Sequence, residues 1–473
     1  MLNSLIVAPD VLQYNLTMKR IFILLLLLSV LPLTLCAKKF PYTKENLITN
    51  EKEKKTHQNA GAIYQWIKDI NQQKIDAFES FVHDMPLEEK ICQLFIENLE
   101  GNTTFMPVEH LRDISNNQEI LESSYIIPGG YLFFSFNIGD SPAQIMAFTD
   151  SIREFCRANG KNPPFLAVDQ EGGYVNRLRK INGPLPSSQN IAEKIDADEA
   201  ARLYGMQAQQ MKLLGFHINL APVVEVCTDS NRDFLAERSF GDAVQVKNYG
   251  TAAIRAYEDN SIGTVLKHFP GNTNTDPHTG LPEIKLEEKE LFESLEPFEE
   301  LIKQKPSGIL MSHARTKAVD GKVPSCLSHV WVTEILRNKY GYNGIIFSDD
   351  IFMGALASNG YAPEKAVVMA VEAGIDCIMI SEKRILKPAR VLYKTACENP
   401  EFEAKIEAAV KRIQRFKLDI GILELADDGM GGYMIKAAVA DEGDLSSSIS
   451  ERLEQFNKEK QLNTEFCKQY FEQ

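Results

Sequence analysis

The stretch KHFPGNTNTDPHTGLP, Lys267 to Pro282, holds more titratable groups than a turn needs. Ordering a loop costs conformational entropy, and Gly, Pro, Asn and Ser are enough to make a solvated turn. Here Lys267 and His268 precede a Pro-Gly break, and Asp276 and His278 stand on either side of Pro277. In extended chain, residues two apart point the same way. A carboxylate beside an imidazole fixes its tautomer and favours its protonated form. Such a pair can give and take a proton near neutral pH. The bland alternative is a turn ion pair. A metal held by Asp and His is a further reading, but the spacing matches no known ligand pattern.

Other titratable residues close short apolar runs. Asp169 ends PFLAVD, Lys267 and His268 end GTVLKHF, Ser312 and His313 end GILMSH, and Asp349 and Asp350 follow GIIFS. Each has a structural reading too. Asp169 could cap the Gly-rich turn after it, Asp350 suits a helix N-cap, His313 could satisfy buried polar groups, and Lys267 could pair with a carboxylate as structure only. His57, His83 and His110 have no motif context and read as surface residues. A strand-end carboxylate, an acid/base imidazole and nearby Lys, Arg and Asp suit sugar chemistry. Charged groups bind hydroxyls, and an Asp can trap an oxocarbenium-like carbon covalently.

The elements that must position these groups alternate. Apolar runs at 91–96, 130–135, 164–169, 216–223, 263–269, 308–313, 344–349 and 376–381 read as strands buried on both faces. Helical patterns fall at 143–157, 198–215, 286–304, 328–339, 363–374, 385–398 and 401–418. Asp198 and Ser328 are placed as N-caps, and Gly215, Gly341, Gly374 and Gly421 as C-terminal stops. Eight strands alternating with helices predict an α/β (β/α)8 barrel, with a doubly wound open sheet as the alternative. Catalytic groups of such a barrel belong at the strand C-terminal ends. After Gly421 a Gly-rich stretch leads to SSISERLEQFNKEKQLNTEFCKQYFEQ, which suits one amphipathic helix.

With 473 residues, 44% hydrophobic and 25% charged, the chain has ordinary globular composition. A net charge of −14 argues against nucleic acid as a partner. Met18-Lys19-Arg20 followed by IFILLLLLSVLPLTL reads as an export signal, too short for a membrane span of about 20 residues. Cys36 then resembles a bacterial lipid-attachment cysteine, which would tether the protein to a membrane. Plain cleavage nearby or an uncleaved anchor are the alternatives. Of the eight cysteines (Cys36, Cys92, Cys156, Cys227, Cys326, Cys377, Cys397 and Cys467), none forms a C-x-x-C pair, so no zinc or redox motif is expected. Cys92 and Cys377 read as core thiols. Free thiols outside the cytosol leave a cytosolic location or a disulfide open.

Four motifs in order, AVDQEGGYVNRL, ERSFG, KHFPG with TDPHTGLP, and GIIFSDDIFMGAL, resemble the barrel of glycoside hydrolase family 3, nearest its bacterial β-N-acetylglucosaminidases. The resemblance covers roughly residues 80–425. It implies Asp349 as nucleophile and His278 as acid/base, oriented by Asp276. It implies Asp169, Arg177, Arg238, Lys267 and His268 as binders of sugar hydroxyls, with no cofactor and no metal. The expected domains are an export segment (1–36), a polar tether (37–60), a single catalytic barrel (61–425) and a short helical tail (426–473). The sequence departs from the family pattern at GNTN after KHFP, in a loop about two residues shorter. It departs again at Tyr174, where Arg is usual, and at Glu225, where Asp is usual. The implied activity is retaining exo-hydrolysis of terminal β-GlcNAc from a saccharide or muropeptide in an exported, periplasmic or membrane-anchored protein. Phosphorolysis, a β-glucosidase and a catalytically dead sugar-binding barrel are the alternatives.

Overall fold

Eight short parallel strands form the centre of the fold: β1 (Phe95–Asn98), β2 (Gly130–Phe133), β3 (Phe165–Val168), β4 (Ile218–Asn219), β5 (Gly263–Phe269), β6 (Gly308–Met311), β7 (Ile345–Phe347) and β8 (Ile378–Ile380). They pair in the order β7-β6-β5-β4-β3-β2-β1-β8. A parallel bridge between Phe347 and Cys377 closes the ring, so the sheet is a (β/α)8-type barrel and not an open sheet. The computed structural model describes residues 68–121, 124–438 and 449–472. The export segment and the tether, with Cys36 and His57, lie outside the described residues. From Asn71 onward the chain forms one unit.

Flanking helices include α1 (Leu87–Gln93), α2 (Pro142–Ala158), α3 (Ala197–Leu213), α4 (Ala243–Glu258), α5 (Pro363–Ala373), α6 (Leu386–Glu398), α7 (Pro400–Asp419) and α8 (Ile449–Phe471). The strand residues are buried on both faces, which is why the runs carry no period-two alternation. Inside the barrel, bulk is matched by its absence next door. A Cβ on Gly130 would lie 2.1 Å from the Phe165 ring, and one on Gly308 would lie 2.6 Å from the Phe347 ring. Glycine opens β2 and β6 because a neighbouring strand's phenylalanine fills that space.

The expected elements need correction in four places. The run at 91–96 is not one strand: α1 continues through Gln93 and β1 begins at Phe95. A continuous apolar run does not distinguish a buried helix end from a buried strand. The helix expected at 286–304 is two, Glu288–Ser294 and Glu296–Ile302. Pro297 lacks an N–H and its ring excludes the preceding turn, so it sits in the first turn of the second helix. Asp196, not Asp198, caps α3, its carboxylate accepting from Glu199 N. The segment Val330–Lys339 is a π-helix, in which Tyr340 N–H donates to Ile335 O at 2.9 Å. Ser328 Oγ does accept from Trp331 N near its start, and Gly215, Gly341, Gly374 and Gly421 all have positive φ. His110 is half-buried against Tyr125, ring centroids 4.7 Å apart, rather than a free surface residue. Cys92 and Cys377 are buried, and all seven cysteines among the described residues are free thiols. Among the described residues no helix is long and apolar enough to cross a membrane.

Candidate active site

The strand C-termini place the candidate residues on one rim. Asp169 follows β3 and begins a tight ribbon, Gln170–Gly172 paired with Val175–Asn176. Gly172 has φ +102, and a Cβ there would lie 2.2 Å from Pro186 O, so the turn needs glycine. On β5, Lys267 is almost fully buried. Its ammonium lies 2.8 Å from Asp169 Oδ1 and 2.6 Å from Glu171 Oε1. Arg238 grips the same Glu171 with both ends of its fork, at 2.8 and 2.9 Å. Arg177 reaches Asp169 Oδ2 at 3.9 Å, and its Nε has no hydrogen-bond partner. Three cations thus face two carboxylates in one cluster.

Burial would raise the Glu171 carboxyl, but the Lys267 ammonium and the Arg238 guanidinium overcome it and hold it at about 2. Burial likewise opposes the charge on Lys267, yet Asp169 and Glu171 raise it above the ordinary lysine range. Glu171 and Lys267 are therefore both ionised at neutral pH. Asp169 spends its carboxylate on Lys267 and does not cap the following turn. The period-two rule would have found Glu171, which stands two residues after Asp169.

His268 is buried, with Nδ1 2.7 Å from Glu225 Oε1. The other oxygen of Glu225 accepts the Asn272 N–H at 2.6 Å. Glu225, where Asp is usual, thus fixes both the imidazole and the start of the loop beyond it. Phe234 meets the His268 ring edge-on at 6.3 Å and lies 5.6 Å beneath the Arg238 guanidinium.

At the end of β7, Asp349 is half-buried and its Oδ1 accepts from Asp350 N at 2.8 Å. Asp350 is structural. Its Oδ1 accepts from Phe352 N at 3.0 Å and from Ser381 N at 3.2 Å, tying the β7 and β8 loops together. His313, fully buried after β6, donates from Nε2 to Asp350 O at 3.0 Å and has Cys326 Sγ 3.2 Å from Nδ1. Burial lowers its basicity, against the opposing pull of Asp349. A neutral ring with its proton on Nε2 satisfies both contacts, so His313 acts as a fixed brace under the Asp349–Asp350 turn.

Asp276 and His278 pair as their spacing predicts. His278 Nδ1 is 2.8 Å from Asp276 Oδ1, which also accepts the His278 backbone N–H at 2.9 Å. That backbone bond and then the imidazole hold the Asp276 carboxyl below its ordinary value. The His278 side chain is 74% exposed, so Nε2 is open to a ligand or to water. The link from this pair to Asp349 is through backbone. Ala355 N–H, in the short helix Gly354–Ala357 that follows β7, donates to Pro277 O at 3.0 Å, and a Cβ on Gly354 would lie 2.4 Å from His278 O.

A closed parallel barrel that gathers carboxylates, imidazoles and cations at its strand C-termini has the architecture of a barrel enzyme for small polar substrates. Residues 86–416 match the glycosyl hydrolase family 3 N terminal domain, and the chain belongs to that family. It is 29% identical over 274 residues to Beta-hexosaminidase A of Pseudoalteromonas piscicida, covering 53% of this chain and 45% of that protein. It is 33% identical over 272 residues to a beta-hexosaminidase of Alkalilimnicola ehrlichii, covering 55% of this chain and 76% of that one. A solved family 3 β-N-acetylglucosaminidase from Paenibacillus sp. str. FPU-7 superposes with a TM-score of 0.64 and 26% identity, over 80% of this chain and 69% of that one. The chain thus spans less than half of the first relative's length and about three-quarters of the second's.

Proposed function

We propose that the chain is a retaining exo-β-N-acetylglucosaminidase working through a covalent glycosyl-Asp349 intermediate. The observation that carries this reading is the Asp276–His278 pair, which rides on a loop bonded to the loop that carries Asp349. In this scheme Asp349 attacks the anomeric carbon while His278 Nε2 protonates the departing oxygen. Asp276 holds the ring by Nδ1. Water then attacks the glycosyl ester, with His278 as base. Asp169, Arg177, Arg238, Lys267 and His268 would bind the hydroxyls of the non-reducing sugar, with Glu171 and Glu225 fixing the cations and the imidazole. The names of the relatives favour an acetamido sugar. The leader-like residues 18–36 favour export and, with it, cell-wall fragments bearing terminal β-GlcNAc as substrates.

A 5-fluoro GlcNAc fluoride tests the reading, since its ring fluorine slows both steps while fluoride still departs. The trapped sugar is expected on the peptide containing Asp349, read by mass spectrometry. A label on another residue would remove Asp349 from the role. His278→Ala should lower kcat/KM by about 10²- to 10⁴-fold for glycosides with poor leaving groups and little for dinitrophenyl glycosides. An equal loss on both would show that His278 is not the acid.

A further inference from the structure

The family match ends at residue 416, yet α8, which begins at Ile449, lies against α2 and α3 on the barrel wall. Its Asn463 is completely buried. Asn463 Oδ1 accepts from Gln207 Nε2 at 2.6 Å and from Gln210 Nε2 at 3.2 Å, and its Nδ2 donates to Pro184 O at 3.0 Å. Gln207, on α3, is also fully buried. Its Oε1 accepts from Gln170 Nε2 at 3.3 Å. Gln170 is the residue between Asp169 and Glu171. Its main chain is held on the other side by Asn219 of β4, with both bonds at 3.1 Å. Its Oε1 accepts from Leu178 N at 3.1 Å.

We infer that Asn463 is a positioning residue for the sugar site, acting through Gln207 and Gln170 on the two carboxylates that hold Lys267. The inference rests on the binding role proposed above for Asp169. Buried amides cannot exchange their partners for water, so each bond in the chain fixes the orientation of the next. Gln207 has one amide, and its oxygen faces Gln170 while its nitrogen faces Asn463. The nitrogen also donates to Gly183 O at 3.0 Å and Pro184 O at 3.2 Å, and the oxygen also accepts from Asn182 Nδ2 at 3.2 Å. Asn463 makes the shortest of these bonds and itself holds the Pro184 carbonyl, so its loss loosens the amide that accepts from Gln170. Gln170 joins Asp169 to Glu171, so freedom gained by its side chain is felt by the carboxylates on either side, although Asn219 still holds its main chain. Nor is the site a loose surface contact. A Cβ on Gly183 would lie 2.2 Å from Asn463 Oδ1, so the neighbouring loop is built around this side chain.

The test compares variants of the full chain by the Ki of free GlcNAc against hydrolysis of an aryl β-GlcNAc glycoside, each measured well below that variant's Tm. Asn463→Leu should raise Ki roughly fivefold, the equivalent of one net hydrogen bond. Gln207→Leu should do the same, and the double variant should be no worse than either alone, because both cut one chain. Asn463→Asp retains the acceptor oxygen and should restore Ki to within about twofold. Phe456→Ala removes a buried ring from the same helix and should lower Tm with no change in Ki. Should Asn463→Leu fail to fold, Gln207→Glu, isosteric but without an amide hydrogen for Asn463, carries the same expectation. The inference is overturned if these relay variants behave like Phe456→Ala, losing Tm while Ki stays at the wild-type value. The wild-type chain must itself turn over the glycoside, and its failure to do so would count against the proposed function instead.

Discussion

Replacing the Glu171 carboxylate by an amide would leave the Lys267 ammonium and the Arg238 guanidinium without their shared partner in a buried site. Uncompensated buried charge is expensive, and breaking such a pair from one side costs about 3 kcal/mol. Glu171→Gln should therefore lower stability by about that much at pH 7 and raise KM, since Lys267 then leans on Asp169 alone. The pH dependence follows from the depressed carboxyl. Glu171 sits at about 2 in the folded chain, against about 4.3 for an unperturbed glutamate. Its contribution is complete above the unfolded value and disappears as pH falls towards the folded one. The stability gap between wild type and Glu171→Gln should thus narrow from pH 5 to pH 2 in denaturant titrations. A constant gap would mean that packing, not charge, accounts for the loss.

At the scale of elements, the proposed chemistry depends on one loop docked on another. The contact is made by the Pro277 carbonyl and the space above Gly354. Gly354→Ala puts a methyl group where the His278 carbonyl oxygen lies, so the loop must lift. The expected result is a fall of about tenfold in kcat for glycosides with poor leaving groups, a misplacement effect, with the Ki of GlcNAc unchanged. Loss of GlcNAc binding would place the contact in the sugar pocket instead. This docking was not legible in the sequence, where Asp276 and His278 could be paired by spacing but their loop could not be set against Gly354, some 75 residues on. What could be read was local. Strands buried on both faces show as apolar runs, and the strand-end positions of Asp169, Lys267, His268 and Asp349 follow from those runs. Partners that come from another element could not be read, as with Glu225 on His268, His313 under Asp350, or Asn463 behind Gln170. The same limit explains α1. ICQLFI contains a helix end and a strand start, and only the neighbours that bury it decide where one stops.

The barrel gathers the candidate residues at one mouth and has α7 at the other. Phe416 packs edge-on against Phe165 at 5.9 Å, at the start of β3. Beside it, Lys417 is completely buried, and no carboxylate stands among the groups that shift it. Its Nζ donates to Gln93 Oε1 at 2.7 Å and to Asn162 Oδ1 at 3.3 Å. Gln414 joins the two amides, donating to Gln93 and accepting from Asn162. Burial pulls this lysine down to about 7, opposed only weakly by the Cys156 and Cys377 thiols. In the unfolded chain it titrates near 10.4 (about the model-peptide value). Between those values the unfolded state binds a proton that the folded state does not, so stability rises with pH, by up to about 1.4 kcal/mol per unit. Below pH 7 both states are protonated, and the cost of the buried charge is present in full. Lys417→Met removes this titration, at the expense of two amide oxygens that lose a donor. The difference in unfolding free energy, wild type minus Lys417→Met, should be flat below pH 6.5 and climb steadily between pH 7 and pH 10. The thiols do not interfere, since burial raises Cys156 to about 12 and Cys377 well above its usual value in the fold, while in the unfolded chains they titrate alike in both proteins and cancel. A difference that stays level across that range would mean the amides at the barrel floor hold a charged lysine as readily as water does.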